Sequence, residues 1–305
     1  MSWRTRANEA WLDALPGVER AHNLARHTSF NIGGPAEWFV ESGRVEELER
    51  LVAGCTERGI PYLLLGAGTN LLVADAGVEA LVIRCVNRDV HVLEDCRVRA
   101  GAGLKMMRLA RHAADHGLVG FEFAIGVPGT VGGAVYQDAG CWGRELREVL
   151  VSVEGFMPGR GRVHWEPAEL ELGYRTSAFR AGRLHGALVT AATVQLVPGD
   201  GEAAKREMAR LTTERNRSQP IKTKNCGSVF KNPPGDSAGR LVEAAGMKGA
   251  RRGAAVVSEL HANFIVNTGG ASAADVLGLI EDIRERVRDA FGIDLEPEVE
   301  TVGHI

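Results

Sequence analysis

Three polar residues have sequence surroundings that could support chemistry on a substrate. Ser228 offers a hydroxyl in a stretch that mixes small, polar and apolar residues, Arg175 offers a guanidinium among mixed neighbours, and Glu298 offers a carboxylate on a predicted strand. Each also has an ordinary interpretation: a hydrogen-bonded turn serine, a surface arginine, and a glutamate that strand alternation turns to solvent. An inward carboxylate at 298 would be costly unless it were paired. No Gly-x-Ser-x-Gly motif surrounds Ser228, so hydrolase chemistry has little support.

Two glycine clusters are candidate ligand loops. The first, Leu65–Val73, lies between two predicted strands, and its Gly66 and Gly68 would leave backbone N–H groups uncovered for an anion such as phosphate. It matches neither the dinucleotide-binding fingerprint, since no third glycine and no helix follow, nor a P-loop. Its ordinary interpretation is a tight turn.

The second cluster, Gly126–Ala134, is predicted to be too glycine-rich for a regular element. It is either a compact loop between domains or, with the first cluster, part of a site for one extended ligand. The cationic stretch from Lys248 to Arg252 is either a diphosphate contact or a solvated surface.

Composition excludes several classes of function. The chain has 305 residues, 45% hydrophobic and 25% charged, which is typical of a soluble globular protein of two or three domains. A net charge of -3 argues against a general nucleic-acid binder. The 5 cysteines contain no C-x-x-C pair, so neither a disulfide framework nor a metal site is indicated. With no secretion signal and no membrane-spanning run, we predict a cytoplasmic protein without a membrane partner.

Apolar periodicity predicts a mixed succession of helices and strands. The predicted helices are Val45 to before Gly59, Leu104–His116, Glu202–Arg215, and Ala273–Phe291 with a capping box at Ser272 and Asp275. The predicted strands are Tyr62–Leu65, Leu71–Val73, Leu81–Cys85, His91–Ala100, Leu150–Phe156, Arg162–Glu166, Ala187–Leu196 and a final strand at Ile293–Val302. The first region is predicted to be βαβ-like, and Pro198–Gly201 is a predicted boundary.

Eight segments, in order, resemble the UDP-N-acetylenolpyruvoylglucosamine reductase family, flavoenzymes of peptidoglycan precursor synthesis. They are Thr28–Gly34, Leu65–Val73, Gly126–Ala134, Gly173–Arg175, Gly227–Pro233, Ala245–Gly249, Val257–Ile265 and Leu295–Val299. The resemblance covers most of the chain from about residue 25 onward, and the ordered set is far more specific than any one segment.

The resemblance implies an α+β fold with a vanillyl-alcohol-oxidase-type FAD-binding domain of two α/β lobes and a smaller α+β substrate-binding domain. The implied boundaries are 1–87 for the first lobe, with a strand at about 293–305 returning near the active site, 88–200 for the second lobe, and 201–292 for the substrate domain. The implied FAD contacts are Gly66, Ala67, Gly68, Thr69, Asn70, Leu71, Gly126, Gly129, Thr130, Gly132, Gly133 and Ala134.

The resemblance also implies the reaction and its residues. NADPH is the expected co-substrate, and the enolpyruvyl ether of UDP-N-acetylglucosamine is the expected substrate. By the same carry-over, Ser228 supplies a proton, while Arg175 and Glu298 stabilise the charged intermediate. Tyr174, Asn232 and Lys248 are the implied substrate contacts. A monomer is the expected state, with no nucleic-acid partner.

The sequence departs from the family pattern at two points. Asp138 stands where the family commonly has asparagine, and it either tunes the flavin or caps a turn. The stretch between Arg175 and Ser228 is short, so the tyrosine-bearing insertion of some members is absent. Two rivals remain open: an FAD-dependent oxidase of a small alcohol or hydroxy acid, and a catalytically silent nucleotide-sugar-binding protein.

Overall fold

The chain contains both helices and strands, and a computed structural model describes them for residues 3–303. The helices are α1 (Arg6–Asp13), α2 (Val45–Arg58), α3 (Met106–Asp115), α4 (Val131–Gln137), α5 (Gly201–Ser218), α6 (Ala238–Ala244) and α7 (Ala273–Phe291). The strands are β1 (Glu19–Asn23), β2 (Pro35–Ser42), β3 (Tyr62–Leu65), β4 (Leu71–Val73), β5 (Val78–Cys85), β6 (Val90–Val92), β7 (Arg97–Gly101), β8 (Leu118–Val119), β9 (Gly140–Cys141), β10 (Arg144–Glu145), β11 (Leu150–Met157), β12 (Gly161–Trp165), β13 (Leu188–Gln195), β14 (Val197–Pro198), β15 (Arg251–Arg252), β16 (Ala255–Val257), β17 (Ile265–Asn267) and β18 (Glu300–Val302).

These elements form two compact units. The first unit comprises residues 3–20, 38–67 and 80–213, and the second comprises residues 21–37, 68–79 and 214–303. Each unit is therefore assembled from separated segments of the chain. The division into 1–87, 88–200 and 201–292 stays a prediction.

The first unit is built around two larger sheets. Five strands form the larger, antiparallel sheet in the order β12-β11-β13-β7-β6. Leu109 of α3, Val135 of α4 and Val153 of β11 are buried in one apolar core. In the other sheet, β3 and β5 are parallel neighbours, and Leu48 of α2 is buried in a core with Leu81 of β5. The predicted βαβ-like region and the predicted helices α2 and α3 are confirmed.

The second unit is built around helix α7. Its apolar face is buried, as the spacing predicts, and Ser272 and Asp275 form the predicted reciprocal capping box. The Asp75 carboxylate, from the loop after β4, accepts hydrogen bonds from the amides of Ala273 and Ala274 at 2.8 and 3.1 Å. The first turn of α7 is thus stabilised by acceptors from two parts of the chain. Strands β15, β16 and β17 form an antiparallel sheet, and β4 and β18 pair in parallel.

The second glycine cluster contains a regular element, so the prediction of an irregular run is wrong there. Residues from Val131 onward form α4 despite Gly132 and Gly133. Thr130 caps this helix, and Val131, Ala134 and Val135 are buried. Capping and burial outweigh the low helix propensity of glycine, which destabilises a helix by about 1 kcal/mol per residue relative to alanine.

The predicted strand at 293–302 is mostly wrong, because only its last three residues form β18. The Phe230–Pro297 contact is an isolated bridge, and the amide of Lys231 donates to the carbonyl oxygen of Glu296 at 2.9 Å. Pro297 has no N–H group to continue a strand ladder. The predicted strand at 91–100 is likewise divided, because a 3-10 turn at Glu94–Cys96 separates β6 from β7.

Membrane-spanning helices and metal-binding clusters are both absent from residues 3–303. None of the helices there has the length and apolar composition needed to cross a bilayer. The same residues contain no group of three or more His, Cys, Asp or Glu side chains suited to a metal ion.

Candidate active site

The first glycine loop, residues 66–71, connects β3 to the start of β4, as predicted. A Cβ atom on Gly66 would lie 2.6 Å from the hydroxyl oxygen of Thr130, so glycine permits a close approach there. Gly68 has a φ of +59°, and a Cβ atom on it would lie 2.0 Å from the carbonyl oxygen of His27. The loop therefore needs glycine at both positions. The other predicted cofactor residues of this loop, Ala67, Thr69, Asn70 and Leu71, are half-buried.

The second glycine loop, residues 126–134, leads into helix α4. The Thr130 hydroxyl accepts a hydrogen bond from the Gly133 amide at 3.5 Å, and the Gly132 amide donates to the carbonyl oxygen of Ala102 at 2.9 Å. The amides of Gly132 and Gly133 therefore both donate hydrogen bonds within the first unit. A Cβ atom on Gly132 would lie 3.0 Å from the Cβ atom of Ala102, so glycine lets the start of α4 pack closely against Ala102. Of the remaining predicted residues, Gly126 and Ala134 are buried and Gly129 is half-buried.

Arg175 lies in a tight turn that orients its guanidinium. Gly173 and Thr176 exchange backbone hydrogen bonds of 3.2 and 3.0 Å across the turn, and Arg175 between them has a φ of +54°. For a residue with a Cβ, this left-handed conformation costs roughly 1–2 kcal/mol. One guanidinium nitrogen donates to the carbonyl oxygen of Gly140 at 3.2 Å, and the group lies 5.3 Å from the centre of the Tyr174 ring. Arg175 is thus a half-buried cation whose guanidinium is held by a hydrogen bond.

Ser228 and Glu298 lie on neighbouring backbone segments of the second unit. The Glu298 amide donates to the carbonyl oxygen of Val229 at 2.7 Å, which places Glu298 beside the residue that follows Ser228. Glu298 is only 7% exposed, so strand alternation does not turn it to solvent. The Asn70 side-chain amide donates to the carbonyl oxygen of Glu298 at 3.0 Å. The structure thus brings together Ser228, Glu298 and the end of the first glycine loop.

Cys226, two residues before Ser228, is buried as well. Burial raises the pKa of its thiol far above the ordinary value, and the negative charge of Glu298 raises that pKa further. The thiol therefore stays protonated and unreactive, and Cys226 fills space in an apolar core.

The three predicted substrate contacts lie on different elements. Tyr174 is 44% exposed in the Arg175 turn. The exposed Asn232 accepts a hydrogen bond from the Ala238 amide at 3.0 Å, at the start of α6. The half-buried Lys248 forms an ion pair of 2.7 Å with Glu243. The amide of Asn232 and the ammonium group of Lys248 are therefore oriented by the protein itself.

Asn263 is a residue of this region to which the sequence assigned no role. It is buried, and its side chain bonds to the backbone of Phe230 in the Ser228 segment. It falls within Val257–Ile265, one of the segments that carry the family resemblance. Local sequence contains no signal for an amide that pairs with backbone so far away in the chain.

Asp138 follows helix α4 and is completely buried. It has a left-handed backbone and ends the helix. Its carboxylate accepts hydrogen bonds from the Arg147 backbone amide at 2.9 Å and guanidinium at 2.6 Å, and Arg147 also pairs with Glu145. Burial raises the pKa of Asp138 above the ordinary value, although the contacts with Arg147 oppose the shift. The structure thus agrees with the interpretation of Asp138 as a residue that caps a turn.

We expect the wild-type chain to gain stability relative to the Asp138→Asn variant as the pH is lowered. Because the folded-state pKa of Asp138 is raised, the folded chain binds a proton there more strongly than the unfolded chain does. The contribution of Asp138 to stability therefore falls as pH rises through the interval between the unfolded and folded pKa values. Urea unfolding of both proteins between about pH 4 and about pH 7 measures this difference. A difference in unfolding free energy between the two proteins that does not change with pH would contradict the expectation.

Comparison with known protein families first identifies the class of protein to which the chain belongs. A family model described as an FAD binding domain matches residues 36–165, so the chain is a flavin-binding protein with the expected α+β fold. A second model, described as the UDP-N-acetylenolpyruvoylglucosamine reductase C-terminal domain, matches residues 219–302.

Whole-chain relatives then define the family. A UDP-N-acetylenolpyruvoylglucosamine reductase of Lachnoclostridium phytofermentans is 40% identical over 285 residues, covering 92% of this chain and 91% of the relative. One from a Synechococcus strain is 45% identical over 282 residues, covering 92% and 89%. The crystal structure of UDP-N-acetylenolpyruvylglucosamine reductase from Thermus caldophilus aligns with a TM-score of 0.80 at 39% identity, covering 94% of this chain and 99% of that one. The chain belongs to the UDP-N-acetylenolpyruvoylglucosamine reductase family.

Proposed function

We propose that the chain reduces the enolpyruvyl ether of UDP-N-acetylglucosamine to UDP-N-acetylmuramate, with NADPH as the reductant and FAD as the bound cofactor. The hydrogen bond from Asn70 to the carbonyl oxygen of Glu298 carries this proposal. It joins the first glycine loop to the segment that holds a buried carboxylate. Ser228 is next to Val229, which bonds to the same segment.

The two glycine loops, 66–71 and 126–134, hold the cofactor in this proposal. A side chain at Gly66 or Gly68 would force the first loop away from its neighbours, and a Cβ atom on Gly133 would lie 3.6 Å from the Thr130 hydroxyl oxygen, an ordinary contact distance. Such bare backbone suits a large, flat ligand with a diphosphate. When bound, FAD supplies hydride transfer between the nicotinamide and the substrate.

Arg175 neutralises negative charge on the substrate. Hydride addition to the terminal carbon of the enolpyruvyl group builds charge on the adjacent carbon and its carboxylate. A guanidinium fixed in advance stabilises this charge without reorganising during the reaction. The turn at Gly173–Thr176 and the bond to Gly140 fix Arg175 in this way.

Ser228 donates the proton to the carbon adjacent to the site of hydride addition. The net change is one hydride and one proton added across the carbon–carbon double bond. A serine hydroxyl is a weak acid in water, so this role requires a site from which water is excluded. The buried Glu298, on the segment adjacent to Ser228, stabilises the charged intermediate together with Arg175 in this proposal.

Tyr174, Asn232 and Lys248 contact the UDP-sugar in this proposal. Lys248 would pair with a phosphate group, and the Asn232 amide would bond to a polar group of the sugar nucleotide. We further propose that the protein is a monomer located in the cytoplasm.

An anaerobic visible spectrum of the purified protein tests the function. We expect flavin absorbance that bleaches with NADPH and returns when UDP-N-acetylglucosamine enolpyruvate is added. A yellow protein that the sugar nucleotide does not reoxidise would favour an oxidase of a small alcohol instead. A colourless protein that cannot be reconstituted with FAD would favour a nucleotide-sugar-binding protein and remove the site assignments.

A further inference from the structure

The side chain of Asn263 forms a matched pair of hydrogen bonds with the backbone of Phe230. Its oxygen accepts from the Phe230 amide at 2.9 Å, and its nitrogen donates to the Phe230 carbonyl oxygen at 2.8 Å. The backbone carbonyl oxygen of Asn263 accepts from the Val229 amide at 2.9 Å. Asn263 is 3% exposed, so these bonds have no competition from bulk water. One residue therefore holds three backbone groups directly after Ser228.

The same segment is held at two further points. On its other edge, the Val229 carbonyl oxygen accepts from Glu298, and Phe230 forms a bridge with Pro297. Before Ser228, the Gly227 amide donates to the side-chain oxygen of the buried Asn225 at 2.9 Å. The backbone on both sides of Ser228 is thus fixed.

The loop that carries Asn263 is itself well fixed. The Ser258 amide donates to the carbonyl oxygen of Phe264 at 2.8 Å, and the ring Nδ1 of His261 accepts from the Asn263 amide at 3.2 Å. Burial lowers the pKa of His261, which favours the neutral ring that this acceptor role requires. Asn263 therefore acts from a rigid support.

We propose that Asn263 is a positioning residue that sets the orientation of Ser228 for proton transfer. This inference rests on the proposed function. The pairing with Phe230 needs one donor and one acceptor on a short planar side chain, which asparagine provides. Aspartate would face the Phe230 carbonyl with a second acceptor, and serine would leave part of the pair unmade. Either change shifts Ser228 while its hydroxyl remains.

The test uses the variants Asn263→Asp and Asn263→Ser in the flavin-loaded protein. We expect NADPH to reduce the flavin at the wild-type rate and reoxidation by the enolpyruvyl substrate to slow by about 10- to 100-fold, since small displacements have effects of this size. We also expect hydrogen–deuterium exchange of residues 227–231 to increase. Retained flavin and an unchanged circular dichroism spectrum would identify the variants that fold.

Asn267→Asp is the matched control. Asn267 is also buried, at 4% exposed, and its side chain bonds to the carbonyl oxygen of Phe30 and to the amides of Gly269 and Ala271. This variant should lose stability as well but should reoxidise normally. Equal slowing in the Asn263 and Asn267 variants would overturn the proposal.

The double variant Ser228→Ala/Asn263→Asp separates positioning from general damage. If Asn263 acts through Ser228, its replacement adds little once the hydroxyl is absent, so the two effects are not additive. If the double variant slows reoxidation by the product of the two single effects, the positioning role is wrong. Normal reoxidation of Ser228→Ala alone would contradict the proposed role of Ser228, whereas a reduced wild-type protein that the enolpyruvyl substrate does not reoxidise would contradict the proposed function, so the failures are distinct.

Discussion

Replacing Ser228 with alanine is expected to leave reduction of the flavin by NADPH nearly unchanged and to slow reoxidation by the enolpyruvyl substrate by about 10²- to 10⁴-fold. The variant removes the proposed proton donor, and the first half-reaction does not need that proton. The adjacent backbone is held by Asn225, Asn263 and Glu298, so the segment should keep its conformation. Anaerobic stopped-flow absorbance follows each half-reaction separately.

Ser237→Ala is the control for this experiment. Ser237 caps helix α6 in the same unit, where its hydroxyl accepts from the Arg240 amide at 3.3 Å. Its replacement should lower stability and leave both half-reactions intact. If Ser228→Ala slows the two half-reactions equally, Ser228 has a structural role and the proposed proton donor is wrong.

Arg175→Ala is expected to slow the same reoxidation step by about 10²- to 10³-fold, because it removes the charge that stabilises the intermediate. Arg175→Lys should recover only part of this loss, since an ammonium group lacks the planar geometry of the guanidinium. Alanine and lysine both keep a Cβ at the left-handed position, so neither variant relieves the turn. Single-turnover reoxidation of the reduced variants measures the effect.

Arg183→Ala provides the comparison for Arg175. Arg183 is exposed and forms an ion pair with Glu171, close in sequence to the turn. Its loss should be nearly neutral for both half-reactions. Reoxidation at the wild-type rate in Arg175→Ala would remove Arg175 from the site.

Local patterns predicted the elements whose stability is local. Helices α2, α3 and α7 follow apolar spacing, and the α7 capping box is a short-range motif. Helix α4 was missed because its stability depends on a cap at Thr130 and on burial of Val131 and Val135. Glycine content alone gave no indication of that burial.

The candidate site was less predictable because its contacts are long-range. Alternation could not decide the orientation of Glu298, since Pro297 just before it forms an isolated bridge and β18 begins only at Glu300. The proximity of Ser228 and Glu298, and the pairing of Asn263 with Phe230, involve segments far apart in sequence. Family resemblance assigned Ser228 and Glu298 to one site, but it gave no role to Asn263.

The parallel pairing of β4 with β18 has a consequence for biosynthesis. Leu71, at the end of the first glycine loop, lies opposite Glu300, and Val73 lies opposite Val302. The ribosome makes β18 long after β4, and such distant pairings form late in folding. Strand β4, into which the first glycine loop leads, therefore has its parallel partner only after residues 300–302 have been synthesised.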